Sequence, residues 1–265
     1  MTNILNSKHS NNFKNNKKKI TSLKPNITII TVVKNDENKI LKTLKSVFAQ
    51  TYKNFEYIVV DGKSNDKTFK ILKDNKKNID LLISAKDKNL WEAMNKGISK
   101  SKGSIIGFVN SGDIIHKNTL RLVNKYFSNH KIDYLFGPVE KDRVLYRFEP
   151  EKIKYRFNIY PSHSTGFFIL KKIHLDLGMY NVNLNFGADY DFIYKLINSK
   201  NYKGKIAKKN QVFGKFDLRG YSSTVPFYKS YYYESIIRYK NGQNLFFVIV
   251  LFLLRVLNKV YNYIK

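Results

Sequence analysis

The sequence predicts an α/β protein, a mostly parallel sheet flanked by helices with a helical appendage at the C-terminal end. Three observations predict it. Short runs rich in β-branched residues alternate with stretches of helical spacing. Each run stops abruptly in Asp, Asn, Gly or Ser, which is turn chemistry. Repeated strand–helix alternation implies right-handed crossovers, and these lay successive strands side by side in one direction.

Residues 1–25 are polar and low in complexity, with six Lys and no acid, and are expected to form a disordered basic tail. Ile27 to Val33 (I-T-I-I-T-V-V) reads as a buried parallel-type strand that exits into Lys34-Asn35-Asp36-Glu37. Ile40, Leu41, Leu44, Val47 and Phe48 then follow helical spacing, with Asn35 or Asp36 as the N-cap. Phe55 to Val60 is a second strand. It exits into Asp61-Gly62-Lys63-Ser64-Asn65-Asp66, and Phe69, Ile71 and Leu72 mark a short helix after it.

Ile79 to Ser84 is a third strand with Asp87 at its exit, followed by a helix carrying Leu90, Trp91, Met94 and Ile98 on one face. The fourth strand, within Gly103 to Asp113, is the short apolar run Ile105, Ile106, Phe108 and Val109, and it ends in Asn110-Ser111-Gly112-Asp113. If the four strands are parallel, these polar exits gather on one edge, where open α/β sheets bind ligands. Any single Asp or Asn there could be only a cap or a turn former. Their recurrence at four exits points to a site.

After Asp113 the rhythm changes. Leu120, Val123 and Phe127 suggest a helix, whereas Tyr134 to Val139, Val144 to Phe148 and Gly166 to Leu170 read as strands free to run either way. His163 precedes the last of these. A helix holding Leu175 and Leu177 leads to Gly178. Another opens at Phe186-Gly187-Ala188-Asp189, with Phe192, Ile193, Leu196 and Ile197 inward and Asp189 and Asp191 in its first turn, where the helix dipole favours negative charge.

From residue 226 to 265 the chain is expected to be helical. It contains a Tyr-rich stretch and then ten apolar residues, Leu245 to Leu254, about half the length that crosses a bilayer. Arg255, Asn258, Lys259 and Asn262 would make one polar stripe, which suits a helix lying in a membrane interface or docked on a partner; a core helix is the alternative.

The net charge is +28, of which +22 falls outside the tail, so phosphate-bearing partners come into consideration, as does plain Lys and Asn bias. Cysteine is absent, which removes disulfides and thiolate metal sites and fits a reducing compartment. No secretory signal segment is evident, so the expected location is cytoplasmic, peripheral on the inner face of the cell membrane.

Five segments together resemble family two glycosyltransferases of the GT-A fold, especially the branch that builds bacterial surface polysaccharide. They are I-T-I-I-T-V-V-K-N, V-V-D-G-K-S-N-D-K-T from Val59, D-K-N-L-W-E-A-M-N-K-G from Asp87, F-V-N-S-G-D from Phe108 and A-D-Y-D-F from Ala188; R-G-Y-S from Arg219 is a candidate for a later loop. The resemblance implies a GT-A domain over 26–225, with a nucleotide-binding half (26–115) and an acceptor half (116–225). It implies an inverting, metal-dependent transfer from a nucleotide-sugar donor, a UDP-sugar, to a glycan or lipid-linked acceptor.

On the same resemblance Thr31 and Val33 line the base pocket and Asp61 contacts the uracil, with Asn35, Asp87, Asn95 and Asn110 also on the donor side. Asp113 binds the divalent metal, Mn2+ or Mg2+; Asp189 is the general base; and His163 and Asp191 stand on the acceptor side. The sequence departs from the pattern at Asn110 and Gly112, which stand where the family carries acids, leaving Asp113 as the only charged ligand there. Other readings stay open: a different nucleotide-sugar or nucleotidyl transferase, a non-catalytic protein that keeps the fold, or a nucleic-acid-binding protein, for which no recognised motif is present.

Overall fold

The computed structural model describes residues 26–157, 159–161, 163–218 and 225–264. The expected tail at 1–25 and the R-G-Y-S segment at 219–222 lie outside the described residues. Strand Ile27–Val33 (β1) leads into helix Ile40–Phe48 (α1), and Phe55–Asp61 (β2) with Thr68–Asp74 (α2) repeats the unit. Leu81–Ser84 (β3), Leu90–Lys100 (α3) and Ile105–Phe108 (β4) follow. Next come Ile114–Ile115 (β5), Thr119–Asn129 (α4), Tyr134–Phe136 (β6), Val139–Glu140 (β7), Val144–Leu145 (β8), Phe167–Leu170 (β9), Lys171–Leu177 (α5), Ala188–Asn198 (α6), Gly204–Ile206 (β10) and Gly214–Lys215 (β11). Phe227–Lys240 (α7) and Leu245–Ile264 (α8) end the described chain.

The main sheet has the order β10-β6-β9-β4-β1-β2-β3. The four N-terminal strands are parallel, as their crossovers require, and β9 runs antiparallel between β4 and β6. A small second sheet, β5-β11-β7-β8, stands beside it. The run Tyr134 to Val139, expected as one strand, divides between the two sheets. Gly137 gives its amide to the Gly166 carbonyl, and Pro138 has no amide to give, so the ladder breaks there and the chain changes sheet. The expected strand Val144 to Phe148 shrinks to two residues.

Alternate residues of β1 feed opposite cores. Ile30 and Val32 meet Ile58, Val60, Met94 and Phe192 on one face, while Ile27 and Ile29 meet Leu44, Val47, Val59 and Val123 on the other. Burying each such aliphatic side chain stabilises the fold by about 1.5–3 kcal/mol. α3 lies so close to β1 that a Cβ at Gly97 would stand 2.6 Å from Ile30 Cγ2. α1 begins later than its spacing suggests: its N-cap is Lys39, with no side-chain cap bond. Asp36 contributes its carbonyl to the Lys39 and Ile40 amides and sends its carboxylate to Ser111 (2.6 Å) instead.

α8 continues past the ten-residue apolar run. It runs for 20 residues, and Leu245–Asn262 has a mean hydropathy of 1.8, long and apolar enough by length and composition to cross a membrane. Only 6% of that window is buried, so it is not a core helix. α7 is fastened to the body by Arg238, 1% exposed. Its guanidinium donates to the Tyr190 phenol (2.7 Å), the carbonyls of Ile153 and Arg156 (both 2.8 Å) and the Gln243 amide oxygen (3.0 Å), and lies over the Phe157 ring at 4.2 Å.

Removing that group strands two buried carbonyls and a phenol together. Arg238→Ala should therefore lower stability by about 3 kcal/mol, read as a fall in the urea midpoint, whereas Lys240→Ala at an exposed position of the same helix should shift it by less than about 0.5 kcal/mol.

Candidate active site

The carboxyl ends of β1 to β4 form one edge of the sheet. Register sets Val33 beside Asp61 and Asp61 beside Ser84. Asp61 is 0% exposed; its carboxylate accepts from Ser84 Oγ (2.6 Å) and from the Ser64 amide (3.2 and 3.3 Å). It ties the second exit to the third, and direct contact with a base would require the Ser64 turn to move aside. Thr31 is equally enclosed, donating to the Val109 carbonyl (2.6 Å) and pairing with the Tyr57 phenol (2.9 Å), so it supports the site from beneath. Val33 is a core residue. Asn35 adopts φ +51 and stitches the first two exits together, its amide donating to Ser64 Oγ and its side-chain oxygen accepting from the Asn65 amide, each at 2.9 Å.

Three buried polar atoms at the third and fourth exits have no partner among the described residues: Asp87 Oδ2, Trp91 Nε1 and Asn110 Oδ1. Natural structures satisfy such groups with ordered water or a ligand, and the carboxyl edge of an open α/β sheet is where ligands bind. Asp87 Oδ1 is held by Lys96 (2.5 Å), and the Asn110 amide donates to Ser164 Oγ (3.0 Å). Asn95 is engaged elsewhere. It exchanges two hydrogen bonds with the Tyr180 backbone (2.8 and 3.1 Å) and braces the segment that leads to α6.

The turn after β4 delivers Asp113. Gly112 has φ +94, and a Cβ there would stand 2.9 Å from Asp217 Oδ2, so both conformation and space require glycine. Asp113 is 3% exposed. Its carboxylate accepts from Thr165 Oγ1 (2.9 Å) and the Asp217 amide (3.0 Å), yet burial pushes its pKa up to about 7. His163 Nε2 lies 3.9 Å from Asp113 Oδ2, and the ring stacks on Phe216 at 4.0 Å. Burial lowers the His163 pKa to about 3, and Nδ1 accepts from the Thr165 amide (3.3 Å), so the neutral ring carries its proton on Nε2, facing Asp113.

Among the described residues no group of three or more His, Asp or Glu side chains is arranged to hold a metal ion. The donors present are two carboxylates: Asp113, desolvated and without a cationic neighbour among its bonded groups, and Asp217, which also meets Lys39 at 2.7 Å. Such a set fits a hard divalent cation that takes its remaining ligands from a diphosphate and water.

Asp189 opens α6, after Gly187 at φ +79. Its surface touches solvent, yet surrounding protein desolvates the carboxyl and, with the charge of Glu234 nearby, holds its pKa above the usual carboxylate range; the Tyr190 amide (2.9 Å) works against this. Tyr160 and Tyr180 feel its charge, and Tyr180 packs on Trp91 and on Phe108 of β4, which links the start of α6 to the sheet edge. Asp191 is turned away and braces: it binds Lys195 (2.6 Å) and accepts from Asn241 (2.8 Å) at the end of α7.

Sequence reasoning missed Asp217, Tyr160, Tyr180 and Glu234. Asp217 follows a two-residue strand too short to show a period, and the others approach Asp189 only through tertiary packing.

Residues 28–185 match the family described as Glycosyl transferase family 2. An uncharacterized glycosyltransferase of Methanocaldococcus jannaschii is 27% identical over 260 residues, covering 81% of this chain and 88% of its own. The Escherichia coli UDP-Glc:alpha-D-GlcNAc-diphosphoundecaprenol beta-1,3-glucosyltransferase WfgD is 31% identical over 134 residues, 49% of this chain and 53% of that one. Among solved structures, the Pyrobaculum calidifontis mannosyltransferase PcManGT, in complex with GDP-Man and Mn2+, superposes with a TM-score of 0.64 at 17% identity, covering 84% of this chain and 66% of its own. At that identity the likeness is one of fold, here the GT-A fold. The matched part is about half of the E. coli relative.

The raised Asp113 pKa makes a pH prediction. The unfolded carboxyl titrates near about 3.9 and the folded one at about 7, so between those values the native state keeps a proton that the unfolded chain has lost. Stability of the chelator-treated protein should fall as pH rises from about 4 to about 7, by up to about 1.4 kcal/mol per unit. Urea midpoints across that range should show a shallower slope for Asp113→Asn.

Proposed function

The chain belongs to glycosyl transferase family 2, and on that premise we propose that it moves a sugar from a UDP-sugar to a hydroxyl of a glycan or lipid-linked acceptor, with inversion at the anomeric carbon. The observation that carries this reading is the gathering of unpaired polar atoms on Asp87, Trp91 and Asn110 near the exits of β3 and β4, with a buried Asp113 in the same turn as Asn110; Asp189, of raised pKa, is linked to them through Tyr180. The E. coli relative's name adds weight to a UDP-linked donor and a lipid-diphosphate acceptor.

In this reading the donor lies along the exits of β1 to β4, with Asp87, Trp91 and Asn110 offering their free polar atoms to it. Asp113, with Asp217 beside it, would hold Mn2+ or Mg2+, which when bound neutralises charge on the departing diphosphate. Asp189 accepts the proton of the attacking acceptor hydroxyl from the face of the sugar opposite the leaving group. The new glycosidic bond forms as the bond to the diphosphate breaks, and in-line attack inverts the centre. The raised pKa brings Asp189 nearer to working pH, which improves a general base. Asp191, already engaged by Lys195 and Asn241, keeps α6 in place.

Asp189→Asn keeps the shape and removes the proton acceptor, so transfer should fall by roughly 10²- to 10⁴-fold with little change in donor affinity. The acid limb of the wild-type pH–rate profile should lie above the pH of an ordinary carboxylate, since activity is lost as pH falls through the raised value, and it should vanish in the variant. Product analysis should find nucleoside diphosphate; release of pyrophosphate, or near-normal transfer by Asp189→Asn together with loss in a folded Asp191→Asn, would overturn the assignment.

A further inference from the structure

We propose that α7 and α8 form a docking surface for an anionic lipid bilayer, with α8 lying in the plane of the interface and not crossing it. At 100° per residue, Phe246, Ile249, Leu253, Leu257 and Val260 fall on one stripe of α8, and all are between 45% and 69% exposed. The opposite side carries Val248, Arg255, Lys259 and Asn262. Val248 is buried, and Arg255, near the helix midpoint, pairs with Glu234 of α7 and lies over the rings of Tyr231 (3.8 Å) and Phe157 (4.0 Å).

These contacts decide the orientation. A helix of this length spans about 30 Å, enough for a hydrocarbon core, but in a crossing helix Arg255 would enter the core near its centre. It would draw with it Glu234, α7 and the irregular backbone around Phe157, none of which lipid can satisfy. Laid flat, α8 keeps Val248 and Arg255 on the protein and sinks its apolar stripe into the boundary between headgroups and acyl chains.

Charge selects the occupant. α8 has no acidic residue, the only acid of α7 is the paired Glu234, and Lys229, Lys240 and Lys259 of the two helices are exposed. Exposed Tyr228, Tyr232 and Tyr239 add the amphipathic rings that favour the headgroup level. A second copy of the chain would bring another +28 against this face, whereas anionic headgroups are attracted to it. The surface stands on these helices alone. That it presents a lipid-borne acceptor to Asp189 rests on the proposed transferase reading, through the packing of Ile237 of α7 against Gly187.

Flotation of the full chain with vesicles of phosphatidylcholine, with and without phosphatidylglycerol, tests docking without reference to catalysis. Binding should need phosphatidylglycerol, weaken with salt, and fall at least about tenfold in Leu253→Asn/Leu257→Asn, while hydrolysis of a soluble nucleotide sugar is unchanged. Because the chain has no cysteine, Asn262→Cys supplies a unique label site. An impermeant maleimide should modify it on intact vesicles. Labelling only after lysis would mean that α8 crosses the bilayer and would overturn the in-plane arrangement. Failure to float, with a concentration-dependent dimer lost in the double variant, would assign the face to a second copy. Normal flotation without any transferase activity would leave docking standing and remove only the acceptor reading.

Discussion

Parallel pairing of β1 to β4 is the constraint on which the rest depends. Strands that share a direction must return by crossover helices, so their exits all fall on one edge, and each exit must turn sharply in polar residues. The turns are then close enough to bind one another: Asp36 to Ser111, Glu37 to the Lys67 amide (2.7 Å), Asp61 to Ser84. Most carboxylates of the first two exits are consumed in this stitching. Unsatisfied acceptors are left towards β3 and β4, on Asp87 and Asn110, close in sequence to the buried Asp113, and this divides a stitched floor from a chemically open end.

The second dependence is on Arg238. A cation 1% exposed, bonded to carbonyls, an amide and a phenol, joins α7 to the loop at Ile153 and to Tyr190, the neighbour of Asp189. The segment beside Asp189 is therefore held from the far end of the chain, and the same helix pair turns an apolar stripe of α8 outward. Arg238 fixes α7 to the body, while Arg255 fixes α8 to α7 through Glu234.

The parallel half of the fold was legible because burial on both faces forces continuous β-branched runs, as in Ile27 to Val33, and polar residues mark every exit. The helix faces of α3 and α6 followed their spacing. Beyond β4 the strands are two to four residues long, too short for any period, and the switch of sheet at Gly137-Pro138 carries no signal that separates it from a bend. Asp113 and Asp189 could be named from the resemblance, but the burial of Asp113 and the raised pKa of each belong to tertiary packing. Thr31 and Asn95 differ: the resemblance puts them on the donor side, and their polar groups are bonded within the protein to Val109, Tyr57 and Tyr180. α8 exceeds the ten-residue apolar run because Arg255 is held by Glu234 and the rings of Tyr231 and Phe157, and neither it nor the exposed Lys259 interrupts the helix.

The central claim is that the edge of β1 to β4 binds a nucleotide sugar through a shared divalent cation. The most direct measurement is a thermal-shift series over nucleotide sugars, nucleoside diphosphates and single-stranded nucleic acid, each with manganese and with chelator. Binding to the native state raises its melting temperature by mass action. The largest shift is expected for a UDP-sugar with manganese, and a much smaller one with chelator. A shift from nucleic acid alone, or one from UDP-sugar that is indifferent to manganese, would contradict the claim.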